Sequence, residues 1–138
     1  MSKPHIIDFP KIIDERGNLS YFESNSKIPF EIKRAYWIYD VPGGEIRGEH
    51  AYRELEEVII ALSGSFDVIL NDGEREYKFT LNRSYLGLYI PKLMWRRIEN
   101  FSTNSLALIV SNNVYNPEDY IRDYKEFEKI KNLKNGFN

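Results

Sequence analysis

The 138-residue chain contains no cysteine, which excludes disulfides, thiolate nucleophiles and cysteine metal sites. Histidine is almost as scarce. His5 lies near the N-terminus and His50 is the only other, so imidazole chemistry has a single interior candidate. No stretch approaches the ~20 apolar residues of a membrane-spanning helix. The start, Met1-Ser2-Lys3-Pro4-His5, lacks the apolar centre of a secretory signal. A formal net charge of −2 supplies no electrostatic reason to expect nucleic acid. There is no internal repeat and no low-complexity run. These absences lead to the expectation of a cytoplasmic protein without a membrane or nucleic-acid partner.

What is present suits one folded domain over residues 1–138. Hydrophobic residues make up 42% of the chain and aromatics 14%, enough to bury a core. Short apolar or alternating segments recur at 5–9, 19–23, 32–39, 48–52, 58–62, 66–70, 76–81, 85–90, 94–100 and 105–111. Turn residues separate them: Gly17-Asn18, Pro29, Pro42-Gly43-Gly44, Ser63-Gly64-Ser65 and Asn71-Asp72-Gly73. Strands this short and this regularly spaced predict an all-β sandwich or barrel. Asp72-Gly73 between two of them predicts a hairpin with a type I′ turn. Near the C-terminus, Asn116 is placed to cap a helix with Pro117 at its first position and two acids behind it. Tyr120, Ile121, Tyr124, Phe127 and Ile130 continue at helical spacing, so a helix is expected over about 117–131, with fraying from Gly136 onward.

The chemistry concentrates between residues 34 and 100. His50 and Tyr52 are two apart on one strand, hence on one face. An imidazole can serve as a base near neutral pH, whereas a phenol of pKa near ~10 is a donor. Arg34 shares its strand face with Tyr36 and Ile38. It is either a snorkelling edge residue or an inward cation awaiting an anion. Arginines interleaved with Tyr36, Tyr89 and Trp95 fit an anion attached to a flat ring, as in a nucleotide.

Two spaced motifs carry a resemblance. Gly48, His50, Glu57 and Gly64, followed by Gly87, Pro91 and Asn100, resemble the two motifs of the cupin superfamily, which implies a double-stranded β-helix, or jelly-roll, barrel with the C-terminal α-helix appended. Tyr52 stands where the pattern has a second His, and Arg96 where the second motif has its His. A guanidinium has no lone pair for a metal and repels a cation, so no metal and no other cofactor are expected.

A narrower resemblance covers nearly the whole chain. Asp14-Glu15-Arg16-Gly17-Asn18-Leu19, Ile28-Pro29-Phe30-Glu31-Ile32-Lys33-Arg34, Arg47-Gly48-Glu49-His50-Ala51 and Tyr120-Ile121-Arg122-Asp123-Tyr124 resemble the WxcM-like sugar 3,4-ketoisomerases. That resemblance implies a metal-independent homodimer with exchanged N-terminal strands. It also implies an isomerase that converts dTDP-4-keto-6-deoxyglucose to the 3-keto sugar, through an enediol, in bacterial surface-sugar synthesis. His50 and Tyr52 are then the catalytic pair. Arg16, Arg34, Arg47, Glu57, Tyr89, Trp95 and Arg96 are the substrate-binding set. Tyr52 in place of the family's second His leaves three readings open: His50 as base with Tyr52 relaying protons, a related reaction such as 3- or 5-epimerisation, or sugar-nucleotide binding without catalysis.

Overall fold

The computed structural model describes residues 3–134, and the fraying expected from Gly136 onward lies outside them. The chain runs through β1 (His5–Asp8), β2 (Lys11–Ile12), β3 (Leu19–Ser20), β4 (Arg34–Ile38), β5 (Arg47–Tyr52), β6 (Glu57–Ser63), β7 (Phe66–Asn71), β8 (Glu76–Leu81), β9 (Leu86–Ile90), β10 (Trp95–Glu99) and β11 (Leu106–Ser111). A 3-10 turn (Pro117–Asp119), β12 (Tyr120–Ile121) and α1 (Tyr124–Lys134) complete it. One sheet has the order β1-β9-β6-β11-β4 and the other β12-β5-β10-β7-β8, with β2 and β3 as a separate ribbon. The strand pairings are antiparallel. Two such sheets face to face form the expected jelly roll.

Three apolar clusters hold the layers. Between the sheets, alternate residues of β6, β7, β9 and β11 pack together: Ile59 and Ala61, Phe66, Val68 and Leu70, Leu88 and Ile90, Ala107 and Ile109. The outer face of the first sheet is covered by Ile7, Phe9, Ile28 and Phe30 packed on Val58, Ile60, Tyr89 and Val110. Helix α1 covers the second sheet, with Phe127 against Ala51, Leu93 and Ile121. Because β6 is buried on both faces, its sequence is a continuous apolar run instead of an alternating one.

The motif glycines have steric reasons. Gly64 sits at φ +67°, and a Cβ there would meet Ser105 Cα at 2.8 Å. A Cβ on Gly87 would meet Phe9 and Val58 side-chain atoms at 2.8 Å, so the glycine lets the N-terminal segment lie flat on the sheet. The motif asparagine, Asn100, donates from Nδ2 to Asp67 Oδ2 at 3.1 Å, far from any imidazole role.

Several expected elements differ in detail. The strand expected over 19–23 spans two residues. The hairpin between β7 and β8 exists, but Asn71 pairs with Glu76, leaving a four-residue loop, not a type I′ turn. Asp72 explains it: its Oδ1 accepts the backbone N–H groups of Glu74 and Arg75, both at 2.9 Å, an Asx-type closure that competes with the tight turn. The helix expected over 117–131 is split. Asn116 does accept from Glu118 N, but it caps only one 3-10 turn, because the Asp119 carboxylate accepts the N–H groups of Glu54 and Leu55 at 2.9 and 3.1 Å. That ties the chain to β5 and turns Tyr120 and Ile121 into a strand. The true helix starts after Asp123, whose Oδ1 accepts from Lys125 N at 3.2 Å. The N-terminal segment finds a partner within its own chain, β1 pairing with β9.

Candidate active site

Strand periodicity aims the functional side chains. On β4, Arg34 and Tyr36 point between the sheets, while Ala35 and Trp37 point out. On β5, His50 and Tyr52 point in, while Ala51 meets α1. Arg47, Glu57 of β6, Arg96 of β10, and Tyr120 and Arg122 from the β12 region face the same space. Together they line a cavity of about 390 Å³ whose apolar floor includes Ile59, Val68, Ile98 and Ile109.

The deepest polar feature is an ion pair. Arg96 is 3% and Glu57 2% exposed. Arg96 Nη1 donates to Glu57 Oε1 and Nη2 to the Met94 carbonyl at 3.2 Å. Tyr36 donates its hydroxyl to Glu57 Oε2 at 2.6 Å. Taking two charges out of water costs several kcal/mol, which only good geometry and further hydrogen bonds offset; both are supplied here. Burial pushes the Glu57 carboxyl up, and the Arg96 guanidinium and Tyr36 phenol act against it. Both donors favour the carboxylate form of Glu57 and with it the ion pair. It occupies the positions where a cupin would hold a metal. Among the described residues no three His, Cys, Asp or Glu side chains assemble into a metal-binding group.

Above the pair sits an aromatic cluster around the single imidazole. The His50 ring lies 4.9 Å from Tyr52 and 5.0 Å from Tyr120, and the two tyrosine rings are 4.7 Å apart. The Tyr52 and Tyr120 hydroxyls are hydrogen-bonded at 3.2 Å. His50 Nε2 is buried and has no hydrogen-bond partner among the described residues. Burial lowers the imidazole to about 3, helped by the positive charges of Arg96 and Arg122; a hydrogen bond to the Gly48 backbone acts the other way. The ring is therefore neutral at pH 7, with a lone pair available. Burial pushes the Tyr52 phenol well up, as does the field of Glu57, so it remains a protonated donor. Arg34 lies over Tyr36 at 4.4 Å, Arg122 over Tyr120 at 4.2 Å and Arg96 over Tyr52 at 4.8 Å. Arg34 Nη1 is a second buried polar atom without a partner among the described residues. A neutral base beside unpaired guanidinium nitrogens can bind an anion and move a proton within it.

Of the residues expected from the sequence, Arg34, Arg47, His50, Tyr52, Glu57 and Arg96 meet in this cavity. Arg16, Tyr89 and Trp95 do not line it. The Arg16 side chain is 89% exposed and paired with Asp14 at 2.8 Å on the β2–β3 connection. Tyr89 points to the outer face of its sheet, where its hydroxyl donates to Glu56 Oε1 at 2.6 Å and its ring lies 5.1 Å from His5. Trp95 precedes the inward Arg96, so alternation sends it outward onto Tyr124 and Phe127 of α1, at 5.3 and 5.8 Å. Tyr120 and Arg122 were not expected at the site, because helical spacing placed both within a helix. The segment Tyr120-Ile121-Arg122 carried the signal as an alternating polar-apolar-polar triplet.

A two-sheet antiparallel barrel that holds an ion pair where metal ligands would stand, and one neutral imidazole among phenols and arginines, defines a cupin-like fold with the groups of a proton-transfer site. The chain belongs to the family described as FdtA, WxcM-like, C-terminal, whose model matches residues 2–132. It is 43% identical over 124 residues to a TDP-4-oxo-6-deoxy-alpha-D-glucose-3,4-oxoisomerase of Aneurinibacillus thermoaerophilus, covering 90% of this chain and 89% of that one. Among solved structures, a 3,4-ketoisomerase from Helicobacter canadensis matches with TM-score 0.92 and 43% identity, over 96% of this chain and 99% of the other. A His-to-Asn mutant of the 3,4-ketoisomerase QdtA from Thermoanaerobacterium thermosaccharolyticum, in complex with TDP-4-keto-6-deoxyglucose, matches with TM-score 0.94 and 32% identity over 97% of both chains.

Proposed function

We propose that this chain is a metal-independent 3,4-ketoisomerase acting on TDP-4-keto-6-deoxyglucose. The observation that carries the reading is the buried, unpartnered Nε2 of His50 in a cavity edged by arginines. The arginines Arg34, Arg47 and Arg122 suit a diphosphate. His50 takes the proton from C3, which the adjacent C4 ketone acidifies, and the C–H electron pair becomes the C3–C4 double bond of an enediol as O4 gains a proton. The imidazolium then returns its proton to C4 while O3 loses its own and becomes the ketone. A neutral base suits this sequence because it can take up and give back one proton without leaving a buried charge.

The experiment is incubation with TDP-4-keto-6-deoxyglucose in D₂O, followed by NMR. The expected result is a 3-keto product with deuterium at C4. Exchange at C3 or C5 without a shift of the carbonyl would mean epimerase chemistry, and binding without exchange would mean a sugar-nucleotide sensor.

The same reading makes the protein a homodimer working in the cytoplasm; because β1 pairs within its own chain, the N-terminal strands exchanged would be those of the β2–β3 ribbon. Support comes from the exposed apolar side chains Ile12, Ile13, Leu19 and Tyr21 on and beside the β2–β3 ribbon, which suit burial by a second copy. A scattering mass of one 16.4 kDa chain at micromolar concentration would refute the dimer. No helix among the described residues is long and apolar enough to cross a membrane.

A further inference from the structure

The Tyr52 and Tyr120 hydroxyls form a hydrogen-bonded pair in the cavity. Two phenols are brought together over the imidazole, away from the apolar clusters that hold the sheets. Sheet register builds the pair: Tyr120 of β12 stands directly opposite Tyr52 of β5, and His50 lies two residues along the same face. The hydroxyls are hydrogen-bonded at 3.2 Å. Asp119 holds β12 in that register through the backbone N–H groups of Glu54 and Leu55. Both tyrosines line the cavity, and both rings touch His50.

We propose that Tyr120 is a catalytic residue, and that with Tyr52 it forms a two-phenol wire carrying the proton from O3 to O4 of the sugar. The inference rests on the ketoisomerase reading. That reaction needs two proton transfers besides the one through carbon: O4 must gain a proton and O3 must lose one. One imidazole cannot hold the carbon-bound proton and serve the oxygens at the same time, and the described cavity offers no second one. Along the hydrogen-bonded pair, Tyr120 gives its proton to O4, Tyr52 gives its proton to Tyr120, and Tyr52 receives the proton of O3. Each phenol ends neutral, so one O–H bond is broken and one formed at each oxygen of the wire. No phenolate is left behind, which matters because burial strongly disfavours a charged Tyr52. Arg122, 4.2 Å over the Tyr120 ring, steadies the electron-rich phenol during transfer.

The test compares wild type with Tyr120→Phe, Tyr52→Phe and the double variant, using turnover, TDP affinity and deuterium incorporation. Removing a positioned proton donor costs about 10²–10⁴-fold, so Tyr120→Phe should lose kcat on that scale while TDP affinity stays within a few-fold. The double variant should be no slower than Tyr120→Phe, because a wire broken once is broken. In D₂O, Tyr52→Phe should return substrate deuterated at C3 in excess over product formed. Tyr120 can lend its proton to O4 and take it back as C3 is reprotonated, but nothing clears the proton of O3, a partition that a merely structural tyrosine would not change. Wild-type turnover by Tyr120→Phe, or losses that multiply in the double variant, would overturn the wire and leave the ketoisomerase reading standing. Failure of wild type itself to isomerise the sugar would overturn both. Should Tyr120→Phe fail to bind TDP, the exchange partition of Tyr52→Phe decides: no excess of C3 deuterium overturns the proposal.

Discussion

If His50 is the base, the acid limb of the pH–rate profile must lie far below the usual histidine range. Burial and the charges of Arg96 and Arg122 place the free imidazole at about 3, against an ordinary 6.5. At pH 5 the neutral fraction would then be about 99%, compared with about 3% for an unperturbed ring, a difference of about 30-fold in kcat/KM. The assay is initial-rate kinetics from pH 8 to pH 4, with brief exposure and a return to pH 7 to confirm reversibility. The kcat profile reports the complex and should fall at higher pH than that of kcat/KM. An incoming diphosphate neutralises part of the arginine field that depresses the ring. The same shift has a consequence for stability. The unfolded chain protonates His50 below pH 6.5 while the folded chain resists protonation, so this contribution to stability is present above 6.5 and is lost as pH falls towards 3. A His50→Asn variant should therefore lose less stability than wild type across that window. An acid limb in kcat/KM with its midpoint near 6.5 would show that the imidazole is solvated, or that another group is the base.

Two further expectations concern stability. Glu57→Gln leaves the buried Arg96 guanidinium without a counter-charge and should destabilise by about 3–5 kcal/mol in urea titration; adding Arg96→Met should recover much of that, and an unchanged midpoint in the single variant would show the pair to be hydrated. Phe127→Ala empties a fully buried position that seats α1 on Ala51, Leu93 and Ile121, at a cost of about 3–5 kcal/mol; a loss under 1 kcal/mol would mean the helix is not anchored there.

The residues themselves determined more of the site than a sequence usually does. Alternation along β4 and β5 put Arg34 on one face with Tyr36, and His50 on one face with Tyr52, because a strand's side-chain period is two; the fold then turned both faces inward. Motif spacing placed Glu57 and Arg96 in one neighbourhood, and the chemistry of guanidinium made a metal there implausible. The same alternation, applied one residue further, would have sent Trp95 outward, since Trp95 and Arg96 are neighbours on one strand.

Tertiary structure decided the rest. Helical spacing from Tyr120 to Ile130 was real, but spacing over two residues cannot distinguish a helix from a strand. Long-range hydrogen bonds that Asp119 accepts from the backbone N–H groups of Glu54 and Leu55 pulled Tyr120 into register with Tyr52 across 68 residues. The Tyr89 face depended on which side of its sheet the N-terminal segment covers. The depressed basicity of His50 depended on its burial and on the charges of Arg96 and Arg122, brought in from remote parts of the chain. Local pattern depends on near neighbours and can be read directly; pairings, shared cavities and electric fields depend on distances between residues remote in sequence, and only the folded chain sets those.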